Sequence, residues 1–159
     1  MPFNTKCVHS GRIVDKSSAG LNTPVYMSTA HLFPNEAGEI IYPRWSNSFN
    51  HRAVEAKIAA LEGAEAALVT ASGIAAEASV LFSLLKAGDH AIFQAGLYGG
   101  TQQLVGELPD FGIETDIVDS TDPSDFETKF RDNTRLVYVE SPTNPLMKVV
   151  DLQRLSETC

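Results

Sequence analysis

The sequence lacks several features that would each indicate a particular class of protein. Its 159 residues include only two cysteines, Cys7 and Cys159, one near each end, so neither a disulfide framework nor a paired-cysteine metal site is expected. The longest apolar run, residues 80–85, is too short to span a bilayer. The first seven residues have no apolar run after a basic stretch, as a signal peptide would. We therefore predict a cytoplasmic protein with reduced thiols and no membrane partner.

Clustered positive charge is also missing. There are 12 Lys and Arg residues against 20 Asp and Glu, which gives a formal net charge of −8, and the basic residues are scattered. A nucleic-acid partner is therefore not expected, although one local pocket for a small anion remains possible. The four histidines are isolated from one another, and no metal site is predicted. With 43% hydrophobic residues, the composition is that of an ordinary globular protein.

The first 50 residues differ in texture from the rest of the chain. They show no sustained helix or strand periodicity and are rich in Pro, Ser, Asn and Thr. One interpretation is an unstructured terminus. The other is an arm that packs on a neighbouring subunit, because aromatic side chains among turn residues suit an interface. The aromatic residues concerned are Tyr26, Phe33, Tyr42, Trp45 and Phe49.

From residue 51 onward, helical and strand patterns alternate. This alternation predicts a mostly parallel sheet with helices on both faces, in which ligands bind in the loops after the carboxyl ends of the strands. Helices are predicted over 52–62, 74–85, 101–108 and 123–130, with another beginning at Leu152, and strands over 66–70, 90–94, 113–118 and 136–139.

Three strand-end loops have residues suited to binding. The segment 70–76 follows a predicted strand, and Ser72-Gly73 opens a helix whose first free amides could hold an anion; a plain tight turn explains it equally well. It matches neither a dinucleotide fingerprint, nor a phosphate-binding P-loop, nor a serine nucleophile elbow. Tyr98 could cover a planar ligand or carry a proton, or simply pack at a helix start. Asn144 lies in a loop shaped by two prolines and offers both a donor and an acceptor.

One further candidate for ligand binding is an arginine in the irregular first 50 residues. Arg44 follows Tyr42-Pro43 and could bind a phosphate bidentately. If the arm reached another subunit, Arg44 would complete that subunit's pocket.

Together these motifs resemble the pyridoxal-phosphate enzymes of cysteine and methionine metabolism, the cystathionine γ-synthase, γ-lyase and β-lyase group. Eight matching stretches occur in the family's order and cover nearly the whole chain. They are VHSG (8–11), TPVY (23–26), YPR (42–44), ALEG (60–63), ASGIAA (71–76), AGDH (87–90), LYGGT (97–101) and ESPTNPL (140–146). The resemblance implies a fold-type-I, aspartate aminotransferase-like α/β domain that is incomplete in this chain. Residues 1–50 would form the intersubunit arm and residues 51–159 the first part of the large cofactor-binding domain.

The resemblance also implies residue roles around pyridoxal 5'-phosphate. The phosphate would be held mainly by the backbone of residues 72–74, that is Ser72, Gly73 and Ile74. Tyr42 and Arg44 would reach the neighbouring subunit's phosphate. Tyr98 would stack on the ring and is the one catalytic residue expected here. Asn144 would contact the cofactor hydroxyl and the substrate carboxylate, and Glu140 would order the pocket.

Some of the family's pattern is absent. No lysine stands in the Ser-x-x-Lys context of the Schiff-base lysine, and the aspartate that pairs with the pyridine nitrogen is not present either. Lys148 comes nearest in order, but we interpret it as a surface or strand lysine. Where methionine γ-lyases tend to carry cysteine, this chain has Gly100, so that activity is less expected.

Two hypotheses from different classes follow. The first is an N-terminal portion of a homo-oligomeric transsulfuration enzyme, a dimer of dimers when complete, that eliminates or replaces groups on sulfur amino acids and is inactive as this portion alone. The second is a non-catalytic oligomerising or phosphate-binding module derived from the family. A generic binder of phosphate-sugars or nucleotides would rest only on the Ser72-Gly73 turn.

Overall fold

The computed structural model describes residues 1–159, which form two units, Met1–Ala71 and Ser72–Cys159. No helix has the length and apolar character needed to cross a membrane. The first unit contains α1 (Phe3–His9), a 3-10 helix (Pro43–Trp45) and α2 (Phe49–Glu62). The second contains α3 (Gly73–Leu84), β1 (His90–Gln94), α4 (Gly99–Glu107), a 3-10 helix (Leu108–Phe111), β2 (Glu114–Val118), α5 (Pro123–Glu127), β3 (Thr134–Tyr138) and α6 (Leu152–Thr158).

The first unit is built on α2, the helix predicted over 52–62. It begins earlier than predicted because Ser48 caps it, accepting a hydrogen bond from the His51 amide at 3.5 Å. It ends at Gly63, whose left-handed backbone (φ 69°) favours glycine. Few side chains here are buried, namely Ile41, Ser48 and Ala59. Helix α1 was not predicted, because its seven residues bury no side chain and so carry no hydrophobic period.

The strand predicted over 66–70 is wrong. The segment is irregular, and no strand of the chain pairs with it. Its backbone is instead satisfied by side chains: the Val69 amide donates to Glu55 Oε1 at 3.2 Å, and the Val69 carbonyl accepts from Ser46 Oγ at 3.2 Å. A short apolar run is compatible with a strand, but only a partner strand makes it one.

The second unit confirms the parallel sheet. The strand order is β2-β1-β3, and both pairings of the central β1 are parallel. Strand β1 is buried along its whole length and has the predicted bounds. The other two strands begin within two residues of their predicted starts. All three carboxyl ends therefore lie at one edge of the sheet, where the predicted ligand loops follow β1 and β3.

Both faces of this sheet are covered, as predicted. Alternate residues of β1 point to opposite sides: Ala91 and Phe93 belong to one buried cluster, with side chains of α3 and α4, and Ile92 belongs to the other, with side chains of α5 and α6. The helix after Asp122 is confirmed but ends at Glu127, three residues earlier than predicted. Asp122 caps it by accepting from the Ser124 amide at 3.1 Å.

The opposite, amino-terminal edge of the sheet carries a polar cluster. His90 is fully buried, and its Nδ1 lies 2.8 Å from Thr134 Oγ1. Its Nε2 lies 3.4 Å from Asp116 Oδ2, which also receives a 2.6 Å hydrogen bond from Arg131. Burial, followed by the positive charge of Arg131, lowers the pKa of His90. This cluster links β1, β2 and β3 far from the ligand loops.

Candidate functional site

The amino terminus of α3 has the donors that an anion needs. Ser72 Oγ accepts from the Ala75 amide at 3.1 Å, and the Ser72 carbonyl accepts from the Ala76 amide at 3.1 Å. The amides of Gly73 and Ile74 precede any intrahelical acceptor and remain for a ligand. A Cβ added at Gly73 would meet nothing within 4 Å, so the space in front of this turn is open.

The loop after β1 presents the ring of Tyr98. Tyr98 stands at the N-cap position of α4 without a capping side-chain hydrogen bond, and 55% of it is exposed. Its amide donates to both carboxylate oxygens of Glu140, at 3.2 Å to Oε1 and 3.0 Å to Oε2. The Glu140 amide in turn donates to Gln94 Oε1 at 3.2 Å. Glu140 therefore ties the loop after β3 to the loop after β1. Its predicted role in ordering the pocket stays a prediction.

Gly100 shows that the first two loops meet. A Cβ placed there would lie 2.9 Å from Tyr98 Cε1 and 3.0 Å from Ile74 Cδ1. A methyl group there would have to displace both side chains, so Ile74 of the anion-binding turn and the candidate stacking ring share one surface. This brings together Ile74 and Tyr98, which are far apart in the sequence.

The loop 140–146 is folded on Thr143. The Thr143 amide donates to the Lys148 carbonyl at 2.9 Å, and Thr143 Oγ1 accepts from the Lys148 amide at 3.0 Å. Thr143 is buried, whereas the neighbouring Asn144 is exposed and its amide has no protein partner. Lys148 Nζ pairs with Asp119 at 3.0 Å, and 43% of its side chain is exposed. These contacts agree with the interpretation of Lys148 as a surface lysine.

Tyr42 and Arg44 lie in the first unit. The Tyr42 amide donates to Asn47 Oδ1 at 2.8 Å, and its ring meets that of Trp45 edge to face, with 5.5 Å between centroids. Arg44 is exposed and forms no ion pair. The predicted reach of these two side chains into a neighbouring subunit's pocket stays a prediction.

Sequence reasoning missed a polar link beneath the site. Thr101 Oγ1, fully buried, donates to Glu77 Oε2 at 2.8 Å. Tyr138 lies close to Glu77: burial of the phenol, followed by the charges of Glu77 and Glu140, raises the pKa of Tyr138 to about 12. The available signal was Glu77 itself, the one charged residue in the otherwise apolar and small-residue helix α3. Gln94, the polar end of a buried strand, was the other missed residue.

Comparison with known proteins decides the family. Residues 4–159 match the model of the Cys/Met metabolism PLP-dependent enzymes. This chain belongs to that family. Pyridoxal phosphate is the family's cofactor, and it supplies an electron sink for carbanion chemistry when bound. The sequence-based recognition of the family and of its cofactor is thus confirmed.

Individual members of the Cys/Met metabolism family resemble the chain over nearly its whole length. The canavanine γ-lyase of Pseudomonas canavaninivorans is 39% identical over 96% of this chain and 40% of the relative. The L-methionine γ-lyase of Fusobacterium nucleatum subsp. polymorphum is 38% identical over 98% of this chain and 42% of the relative. The crystal structure of metB from Corynebacterium glutamicum superposes with a TM-score of 0.90 at 32% identity, covering 99% of this chain and 42% of that one.

These matches fix the fold class and leave the substrate open. The chain spans about two fifths of the length of the relatives it matches. The partial, fold-type-I α/β domain predicted from the resemblance is confirmed by the superposition and by the parallel sheet. The relatives' names refer to different substrates. They therefore do not decide between a γ-synthase and a γ-lyase. No group of three or more His, Cys, Asp or Glu side chains is arranged to hold a metal ion.

The residues of the second unit fit pyridoxal phosphate. The open turn offers the amides of Gly73 and Ile74 to a phosphate, at the positive end of the α3 dipole. The Tyr98 ring is exposed on the same surface and can cover a planar ring. Asn144 has an unpaired amide that can donate to a hydroxyl or a carboxylate.

Proposed function

We propose that this chain forms the phosphate-binding and ring-facing side of a pyridoxal-phosphate site in an enzyme acting on sulfur amino acids. The reaction class would be β- or γ-elimination or replacement, of the cystathionine γ-synthase or γ-lyase type. One observation supports this most strongly: Ile74 and Tyr98 both lie against Gly100, so the anion-binding turn and the stacking ring share a surface.

Each residue would contribute by position rather than by bond making. The α3 turn would bind the phosphate through backbone amides, and Ser72 would keep that turn open by capping it. Tyr98 would orient the cofactor ring, and its hydroxyl would hold or move a proton near the substrate. Asn144 would orient the substrate carboxylate. Glu140 would hold Tyr98 in place through the Tyr98 amide.

Ligand binding by the chain is the direct test. Pyridoxamine 5'-phosphate has the ring and the phosphate but lacks the aldehyde that would label surface lysines. Equilibrium dialysis should show saturable binding of this compound, and a Ser72→Ala, Tyr98→Ala double variant should lose it. Equal binding by the wild type and the double variant would count against the proposal.

Turnover by this chain alone is not expected, because we find no lysine in the family's Schiff-base context. Incubation with pyridoxal phosphate and cystathionine should release neither thiol nor keto acid. Product formation above a cofactor-only control would overturn this part of the proposal.

Residues 1–50 would act as an intersubunit arm in a cytoplasmic homo-oligomer. Its support is the apolar surface that this segment leaves exposed, including Met27 (91%), Phe33 (74%) and Trp45 (63%). Arg44 would extend from this arm to the neighbouring subunit's phosphate. Sedimentation analysis should show self-association that weakens in a Phe33→Ser, Trp45→Ser variant; a monomer at all concentrations would contradict the arm.

A further inference from the structure

We infer that Glu77 is a positioning residue that holds the phosphate-binding turn and the Tyr98 loop in register. The inference rests on the proposed function, since it names the residue that keeps two parts of that site together. Glu77 lies on α3, one turn after Gly73, and faces the protein rather than the ligand side.

The link runs from α3 to α4. Thr101 Oγ1 donates to Glu77 Oε2 at 2.8 Å, and Thr101 is fully buried. Thr101 lies three residues after Tyr98, in the first turn of α4. A hydrogen bond at this point therefore fixes the start of α4 against the first turns of α3.

Glu77 also lies close to β3. Its charge, after burial, raises the pKa of Tyr138, and Tyr138 is the last residue of β3. Two residues later, Glu140 accepts from the Tyr98 amide. Glu77 is thus joined to the helix that follows Tyr98 through Thr101, and it lies near the end of β3, whose following loop holds the Tyr98 amide through Glu140.

A carboxylate is an unusual choice for packing alone. Placing a charge among partly buried groups costs desolvation that an apolar side chain of similar size would avoid. A negative charge close to the anion-binding turn would also disfavour a phosphate electrostatically. What the carboxylate does provide is a directional acceptor, and this fixes the position of Thr101 at the start of α4. Its role is therefore geometric.

Two substitutions at Glu77 distinguish its geometric role from its charge. In Glu77→Gln the amide oxygen still accepts from Thr101, and the charge is gone. In Glu77→Ala the hydrogen bond to Thr101 and the charge are both lost. By equilibrium dialysis, Glu77→Ala should bind pyridoxamine 5'-phosphate about tenfold more weakly than the wild type, the equivalent of about one hydrogen bond. Glu77→Gln should bind as tightly as the wild type or more tightly.

Two readouts without ligand complete the experiment on the full chain. Hydrogen exchange of the Tyr98 amide should quicken in Glu77→Ala and not in Glu77→Gln, while the amides of Ile92 and Phe93 in β1 keep their protection. Absorbance titration of the tyrosines should show the late-titrating phenol, Tyr138, ionising at lower pH in both variants. Glu107→Ala, which removes an exposed glutamate of α4, is the matched control and should change none of these values.

The outcomes separate the two proposals. Failure of the wild type to bind pyridoxamine 5'-phosphate would refute the proposed function, while the Tyr98 exchange would still report on the link. Unchanged Tyr98 exchange in Glu77→Ala would overturn the positioning role even if the wild type binds. Loss of protection throughout β1 would overturn it as well, because that pattern would mean general destabilisation.

Discussion

Glu140 receives the Tyr98 backbone amide on both oxygens of its carboxylate, at 3.2 and 3.0 Å, across the loops that follow β3 and β1. The contact joins two segments 42 residues apart in the sequence. It leaves the tyrosine ring exposed while fixing the backbone that carries it.

Glu140→Ala should therefore loosen Tyr98 without unfolding the protein. The bond is solvent-accessible, so its loss should lower the free energy of unfolding by only about 1 kcal/mol. Affinity for pyridoxamine 5'-phosphate should fall several-fold, because the ring is no longer held. Urea unfolding and equilibrium dialysis measure the two effects; Glu127→Ala, at an exposed site on α5, should leave binding unchanged.

Gly100→Ala should weaken ligand binding, whereas Gly106→Ala in the same helix should leave it unchanged. An added methyl group would meet Tyr98 and Ile74 at about 3 Å, so the ring must move and binding should weaken at least tenfold. Gly106 lies in the same helix with nothing within 4 Å of an added Cβ, and Gly106→Ala should stabilise the protein by about 0.5–1 kcal/mol with binding intact. Equal binding by both variants would refute the steric argument.

Ser72→Ala tests the cap of the anion-binding turn. Loss of the Ser72 cap should cost about 1 kcal/mol of unfolding free energy and reduce ligand affinity in addition. Asp151 caps α6 by accepting from the Arg154 amide at 3.1 Å, so Asp151→Ala supplies a cap loss outside the site. Thermal unfolding should show similar losses for both variants, and only Ser72→Ala should weaken binding.

His90 should make stability depend on pH. Its pKa is lowered in the folded protein, chiefly by burial, so the unfolded chain binds the proton more tightly. Stability should therefore be fully present above the unfolded value of about 6.5 and decline as the pH falls from there toward the folded pKa. The steepest slope for one group is about 1.4 kcal/mol per pH unit.

Urea unfolding of the wild type and of His90→Asn between pH 7.5 and pH 5 isolates this term. Carboxylates contribute to both proteins, so the difference between the two curves reports the histidine. The curves should converge as the pH falls; parallel curves would show that His90 does not cause the decline.

The local sequence pattern was sufficient to predict most helices and strands of the second unit. Strand β1 has its predicted bounds because five buried residues lie between clear breaks, and the Asp122-Pro123 pair placed the start of α5. The prediction of a strand over 66–70 was wrong because a strand forms only when a neighbouring strand pairs with it. Helix α1 was missed because it has no buried face from which a period could be read.

The sequence by itself determined the family and the parallel α/β class, since ordered motifs and alternating apolar runs are local properties of the chain. It also identified Tyr98 and Asn144 as candidates from their positions after strands, and Ser72 from its place at the start of a helix. Only the tertiary structure revealed that Ile74 and Tyr98 both lie beside Gly100, and that Glu77 and Glu140 join the elements around them. Those contacts join residues 24 to 42 positions apart. No local sequence pattern encodes a contact whose two partners are brought together only by the folding of the chain.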